Sequence, residues 1–224
     1  MHIWLTMRQP LLHQQWFYLP YIVVMVVCGY FVIQFTKADI HIWLNQRHSV
    51  CFDVFFKYLT YLGDGSLLPL YIVIMLMIRF RGVLLLVVVF LLSGLFTQLL
   101  KRLVFEDMAR PIKYFEGNYH LHLVQGVKQY CCNSFPSGHS ATAFGVFFCL
   151  ALIARQNWLK LLMFILAGLV AYSRVYLSQH FLVDIMAGSF VGLLTAVFCY
   201  PWIYSINKTW LDESLITITR KRTQ

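Results

Sequence analysis

Charge is what this sequence has least of. Only 12% of its 224 residues are Asp, Glu, Lys or Arg, and only nine are acidic. A soluble domain carries about 25% charged residues, so an ordinary water-facing surface is excluded. Carboxylates are also too scattered for a two-metal hydrolase. The central loop offers just Glu106, Asp107 and Glu116, with no cluster that would hold a metal pair. CxxC pairs are missing too: vicinal Cys131-Cys132 has the wrong spacing for a zinc or redox motif. A bridge from Cys51 to Cys131 or Cys132 is open only if those loops face an oxidising compartment. Cys28, Cys149 and Cys199 lie in apolar runs and read as small core residues. No repeat or low-complexity linker divides the chain, so residues 1–224 read as one domain.

What is present is apolar: 60% of the residues are hydrophobic and 17% aromatic, with a mean hydropathy of +0.68. The net charge of +9 is spread over short loops. No basic patch interleaved with aromatics suggests nucleic acid, and anionic lipid or phosphate suits this charge better. Residues 16–35 form an uncharged run long enough to span a bilayer. No small-residue cleavage site follows it, so it reads as a retained first helix. Residues 37–57 mix charged and apolar positions, as a partly helical interfacial segment does. Further spans are expected at about 62–78, 83–100, 140–154, 158–177 and 181–204, with a polar stretch at 101–135. The expectation is an all-α, polytopic membrane bundle of about six spans, both termini on one side. Basic residues in the flanks divide evenly between the two sides. The tie breaks towards cytoplasmic termini if the bases opposite the termini are kept for chemistry.

Three clusters fall on that opposite side: Lys101-Arg102 with Arg110-Pro111; Pro136-Ser137-Gly138-His139; and Ser173-Arg174 with His180 and Asp184. Ionisable groups at a membrane are costly and usually mark a site. His180 and Asp184 are four apart and share a helix face. A carboxylate on one ring nitrogen leaves the other free, as an imidazole nucleophile needs. Taken alone, the pair reads equally as a structural His-Asp contact. The PSG turn opens an apolar helix whose first N–H groups form an anion site, and Ser137 adds a hydroxyl. His139 in the first turn is placed to give a proton. Arg110 and Arg174 offer planar forks for phosphate oxygens, and Lys101 a point charge. Singly, each base reads as an interfacial or snorkelling residue. Together they make a phosphoryl-transfer set. His120 and His122 in HLHL alternate like a metal pair but lack further ligands.

FPSGHS at 135–140 and SRVYLSQHFLVD at 173–184 resemble, without a gap, two of the three motifs of the type 2 phosphatidic acid phosphatases. The resemblance covers about residues 95–190. The third motif departs from the family pattern, which has Lys seven positions before the Arg of Arg-Pro. Here that position is Leu103, while Lys101 lies nine before Arg110 and Arg102 eight. A two-residue insertion in VFEDMA would restore Lys101, and Arg102 is the alternative.

The resemblance implies a membrane lipid phosphatase needing no metal or cofactor. His180 would be the nucleophile, Asp184 would orient it, and His139 would serve as general acid and then base. Lys101, Arg110, Arg174, Ser137 and Gly138 would hold the phosphate. Undecaprenyl pyrophosphate, phosphatidylglycerophosphate, phosphatidic acid and lipid A phosphates all fit as substrates, and the oligomeric state is left open. With cytoplasmic termini, the site would face the periplasm or exterior of a bacterial inner membrane. The loop holding Phe115, Tyr119 and VQGVKQY is expected to cap the entrance. A flippase with a charged relay is the alternative. Its ionisable groups would sit near the midplane, whereas here they sit at span ends. A vanadate haloperoxidase has a similar site, but those relatives are typically large and soluble.

Overall fold

Backbone polar groups in lipid must be satisfied within the protein, which leaves helices or a closed barrel. The computed structural model describes residue 11 and residues 13–222, and among these it holds helices and loops with no strand. The α-helices are α1 (Gln15–Gln34), α2 (Lys37–Asn45), α3 (Val50–Leu59), α4 (Leu68–Ile78), α5 (Phe80–Leu99), α6 (Pro111–Tyr114), α7 (Gly138–Ile153), α8 (Asn157–Tyr176), α9 (Leu182–Tyr204) and α10 (Leu215–Arg222). Local chemistry sets several starts. The Thr36 side chain accepts from Asp39 N to open α2, and Ser49 accepts from Phe52 N to open α3. Proline occupies the first turn of α4 and α6, where its missing N–H costs nothing.

The chain is a membrane helix bundle, but its spans are less uniform than six equal runs. Four helices are long and apolar enough to cross a bilayer: Gln15–Gln34, Phe80–Val104, Asn157–Tyr176 and Leu182–Tyr204. The expected span at 62–78 is instead the second arm of a bent pair, Val50–Gly63 and Gly65–Ile78, which meet at 62°. The expected span at 140–154 is α7, only 16 residues long. A helix of that length reaches roughly 24 Å, against a hydrocarbon core of about 30 Å. Its environment explains how it can be short. Ser140, Ala141, Phe144, Phe147, Phe148 and Cys149 are buried around its whole circumference, so α7 is the bundle's central helix. Its ends can stop inside the protein because irregular backbone at membrane depth is tolerated there.

Small residues set how tightly α7 packs. A side chain at Gly192 of α9 would run into the carbonyl of Ala141, and one at Gly188 into the carbonyl of Ser137. This small-xxx-small spacing lets the two backbones touch. It fixes the start of α7 against the start of α9. At the far end Phe17 packs edge-on against Phe148 and Phe164, joining α1, α7 and α8. Arg81 at the start of α5 holds the segment after α9, donating to Asp212 Oδ1 and Oδ2 at 2.9 and 2.8 Å and to the carbonyls of Ile203 and Ile206. The start of α5 and the end of α9 therefore meet at the face of the bundle away from the PSGH turn.

Candidate active site

Four chain segments meet where α7 begins. The Ser137 N–H donates to the Asp184 carbonyl at 2.9 Å, which ties the PSG turn to the first turn of α9. The Ser137 side chain is fully buried and turned into α7, where it accepts from Ser140 N and Ser140 Oγ. It caps the helix, and the backbone N–H groups of Gly138 and His139 are left without intrahelical partners. The Ser137 oxygen expected at the phosphate thus accepts two bonds within α7, and its own O–H is not used as a donor in them.

His180 lies in the turn between α8 and α9, 2% exposed, its N–H bonded to the Arg174 carbonyl. Its Nδ1 is 3.4 Å from Asp184 Oδ2, an ion-pair distance without hydrogen-bond alignment. That carboxylate oxygen also accepts from Ser134 Oγ at 2.5 Å and Phe181 N at 2.9 Å. Asp184 thus caps α9 and faces His180 with the same atom. Burial first, then the charges of Arg110 and Arg174, push the His180 pKa down to about 3, with Asp184 opposing. The ring is neutral at ordinary pH, as a nucleophile must be.

Three cations surround this turn. Lys101 is 7% exposed, and its charge interacts with those of Arg110, Arg174 and Asp184. Arg102, beside it, is exposed. The five-residue π-turn Leu100–Val104 at the end of α5 separates the two, turning Lys101 inward. This turn and the loop after it separate Lys101 from Arg110. Arg174, 6% exposed, donates Nη1 to Thr60 Oγ1 at 2.7 Å and Nη2 to Gln179 Oε1 at 3.4 Å. Its Nε is buried with no protein partner. Arg110 donates Nε to the Cys132 carbonyl and Nη1 to the Gln179 carbonyl. Its pKa is lowered, by burial before any other cause. None of the three forms an ion pair within 4 Å among the described residues.

Several participants were not singled out in the sequence. Asp64 lies at the bend between the arms of the helix pair, with Oδ2 3.4 Å from His139 Nε2. Gly63 beside it has no room for a side chain, because the carbonyl of His139 and Val170 occupy that space. The signal was the D-G-S turn at 64–66, an Asx-turn signature inside what read as the start of a span. Thr60, Ser134 and Gln179 are ordinary polar residues with no spacing signal of their own. Gln179 also donates to the Lys128 carbonyl and Gln129 Oε1, which straps the VQGVKQY segment over the site. Phe115 packs against His41 and Phe181 beneath the same loop.

Two other sequence features settle into structural parts. His122 pairs with Asp53 at 2.9 Å and stacks flat on His48 at 3.8 Å, while His120 is exposed. No group of three or more His, Cys, Asp or Glu is arranged to hold a metal ion among the described residues. All six cysteines are free, and Cys51 pairs with neither loop cysteine. Cys131 and Cys132 instead face each other.

Lipid A 4'-phosphatase of Bacteroides thetaiotaomicron is 36% identical to this chain over 58 residues, 26% of each protein. The bacitracin transport permease protein BcrC of Bacillus licheniformis is 36% identical over 69 residues, 30% of this chain and 32% of that protein. The matches thus span about a quarter to a third of these relatives' length. Among solved structures, LpxE of Aquifex aeolicus superposes with a TM-score of 0.64 at 26% identity, covering 72% of this chain and 92% of that one. A PAP2-type phosphatidylglycerolphosphate phosphatase of Bacillus subtilis gives 0.63 at 23% identity, covering 90% and 99%, a likeness of fold. The family model of the PAP2 superfamily matches residues 82–208, more than half of the sequence, and with the motifs and the bundle in place the chain belongs to that superfamily.

Proposed function

We propose that this protein hydrolyses the phosphate of a membrane lipid through a phosphohistidine formed on His180, without a metal. The observation that carries the reading is a set of three cations, Lys101 and Arg174 buried and Arg110 half-buried, none matched by a carboxylate within ion-pair distance among the described residues. Burying unpaired charge costs several kcal/mol per ion, so such a set is sustained by an anionic ligand. Phosphate, with oxygens matched to two guanidinium forks and to the N–H groups at the start of α7, fits.

In this reading His180 Nε2 attacks phosphorus in line, and the bond from phosphorus to the lipid oxygen breaks. His139 gives its proton to that departing oxygen. It then takes a proton from water as the water attacks phosphorus and releases His180. Asp184 holds the ring and offsets the positive charge it gains. Lys101, Arg110, Arg174 and the N–H groups of Gly138 and His139 stabilise the spread negative charge of the transition state. Ser137 acts by capping α7 and tying it to Asp184.

The substrate's lipid character is supported by what flanks the site. An apolar groove of about 480 Å³, lined by Val27, Phe31, Phe35, Trp43 and Tyr172, also includes Leu182, two residues from His180 in sequence. The relatives act on several phosphate-bearing lipids, and lipid A phosphates, phosphatidylglycerophosphate, phosphatidic acid and undecaprenyl pyrophosphate all remain in the class. The site would lie on the outer side of a bacterial inner membrane, with cytoplasmic termini. One relative is named as a transport permease. A relay for transport would place its ionisable groups at mid-depth, whereas these gather at one end of the bundle. Phosphate release by the detergent-purified protein, measured in excess EDTA across those four lipids, tests the reading. Turnover that survives the chelator is expected. Folded protein that releases phosphate from none of them would overturn it.

A further inference from the structure

The PSGH histidine has a carboxylate of its own. Asp64 sits at the 62° bend between Val50–Gly63 and Gly65–Ile78, and the two oxygens of its side chain do different things. Oδ1 accepts from Ser66 N at 2.8 Å, which fixes the carboxylate's orientation. Oδ2 is left facing His139 Nε2 at 3.4 Å. The bend is pressed against the start of α7: a side chain at Gly63 would collide with the His139 carbonyl. So the chain breaks its helix where a carboxylate can reach His139, and a glycine makes the approach close enough.

The charges facing His139 explain why this matters. From α8 comes Arg174, from the α8–α9 turn His180, from the loop before α6 Arg110, and from the bend Asp64. Asp64 is the one anion in this set. A general acid must be protonated when the substrate arrives, and burial first, then the neighbouring cations, oppose that protonation. A nearby carboxylate offsets it.

Resting on the phosphatase reading above, we propose that Asp64 is a positioning residue for His139. It aims the ring at the leaving oxygen and holds the imidazolium form that donates the proton. His180-Asp184 and His139-Asp64 are then two His-carboxylate pairs with opposite duties, one keeping a neutral nucleophile in place and the other working against burial and the neighbouring cations in favour of the protonated acid.

Asp64→Asn tests this because the amide oxygen can still accept from Ser66 N, so the bend survives. Opposite charges within about 4–6 Å shift a pKa by about 1–3 units. The substitution removes an anion, so the His139 imidazolium becomes less stable and its pKa falls. The alkaline limb of kcat, where the acid loses its proton, then moves to lower pH by about one unit or more. Each unit lowers the protonated fraction about tenfold on that limb. At pH 8, turnover of an alkyl phosphate should fall about tenfold or more, and turnover of p-nitrophenyl phosphate, whose leaving group needs no proton, should change little. Asp64→Glu should recover part of the loss. Equal losses for both substrates with an unmoved pH profile would overturn the proposal, since a merely structural role predicts that. The ring carbon signals of His139, titrated by NMR in detergent with and without Asp64→Asn, decide the pairing independently of turnover. A lower His139 pKa in the variant is expected, and an unchanged one overturns the pairing. Absence of turnover in the wild type would instead count against the phosphatase reading, and the titration would still decide the role of Asp64.

Discussion

Phosphate release falls by about 10⁴-fold or more when His180 is replaced by alanine, the range seen on removing a nucleophile or its base. The protein should still insert and fold. Asp184 keeps its bonds from Ser134 and Phe181, so no buried carboxylate is stranded. The residue lost is a buried imidazole whose ring already sits in its neutral form, with a pKa of about 3. The same value sets the acid side of the pH profile. His180 must be unprotonated to attack, so kcat/KM should hold as pH falls through 6 and 5 and drop only near 4 and below. Turnover at the wild-type rate in His180→Ala would remove the nucleophile from the account. Measuring phosphate release beside thermal unfolding separates chemistry from folding.

Gly188→Val should lower turnover less steeply, and for a different reason. Gly188 touches the Ser137 carbonyl, and the Ser137 N–H bonds to Asp184. An added side chain forces α7 and α9 apart at the point that joins the PSGH turn to the His180-Asp184 pair. Displacing catalytic groups by about 1 Å can cost about 100-fold, and overpacking typically costs about 1–3 kcal/mol of stability. We expect both losses together, read as turnover and as a lowered unfolding temperature. Gly168→Ala is the control, since a side chain there meets nothing within 4 Å. If Gly188→Val were as active and stable as Gly168→Ala, the close α7–α9 crossing would not be what aligns the site.

What the sequence made legible was local. PSGH is a turn opening a helix, and SRVYLSQHFLVD is a helix end, a tight turn and the next helix start. Each motif carries its geometry within a dozen residues. The long apolar runs likewise announced their helices. Other features were hidden because tertiary packing decides them. Asp64 belongs to the site only because a helix bends and presses Gly63 onto α7, and no window of sequence around it shows α7. Lys101 and Arg102 could not be separated by spacing, because a π-turn absorbs extra residues that an ideal helix would place elsewhere. The length of α7 followed from its being surrounded by protein, and hydropathy alone does not distinguish that from lipid. The second role of the Ser137 oxygen, as acceptor from Ser140 three positions on, was not visible in the motif.

The account's central claim is that a phosphoryl group passes through His180. The most direct test is to mix the purified protein in EDTA with a ³²P-labelled lipid phosphate, quench it in alkali within milliseconds, and map the labelled peptide. Phosphohistidine survives alkali and is lost in acid, so the account predicts base-stable, acid-labile label on the peptide carrying His180, absent from His180→Ala. Steady release of phosphate with no label on the protein at any quench time would contradict it and leave direct attack by water in its place.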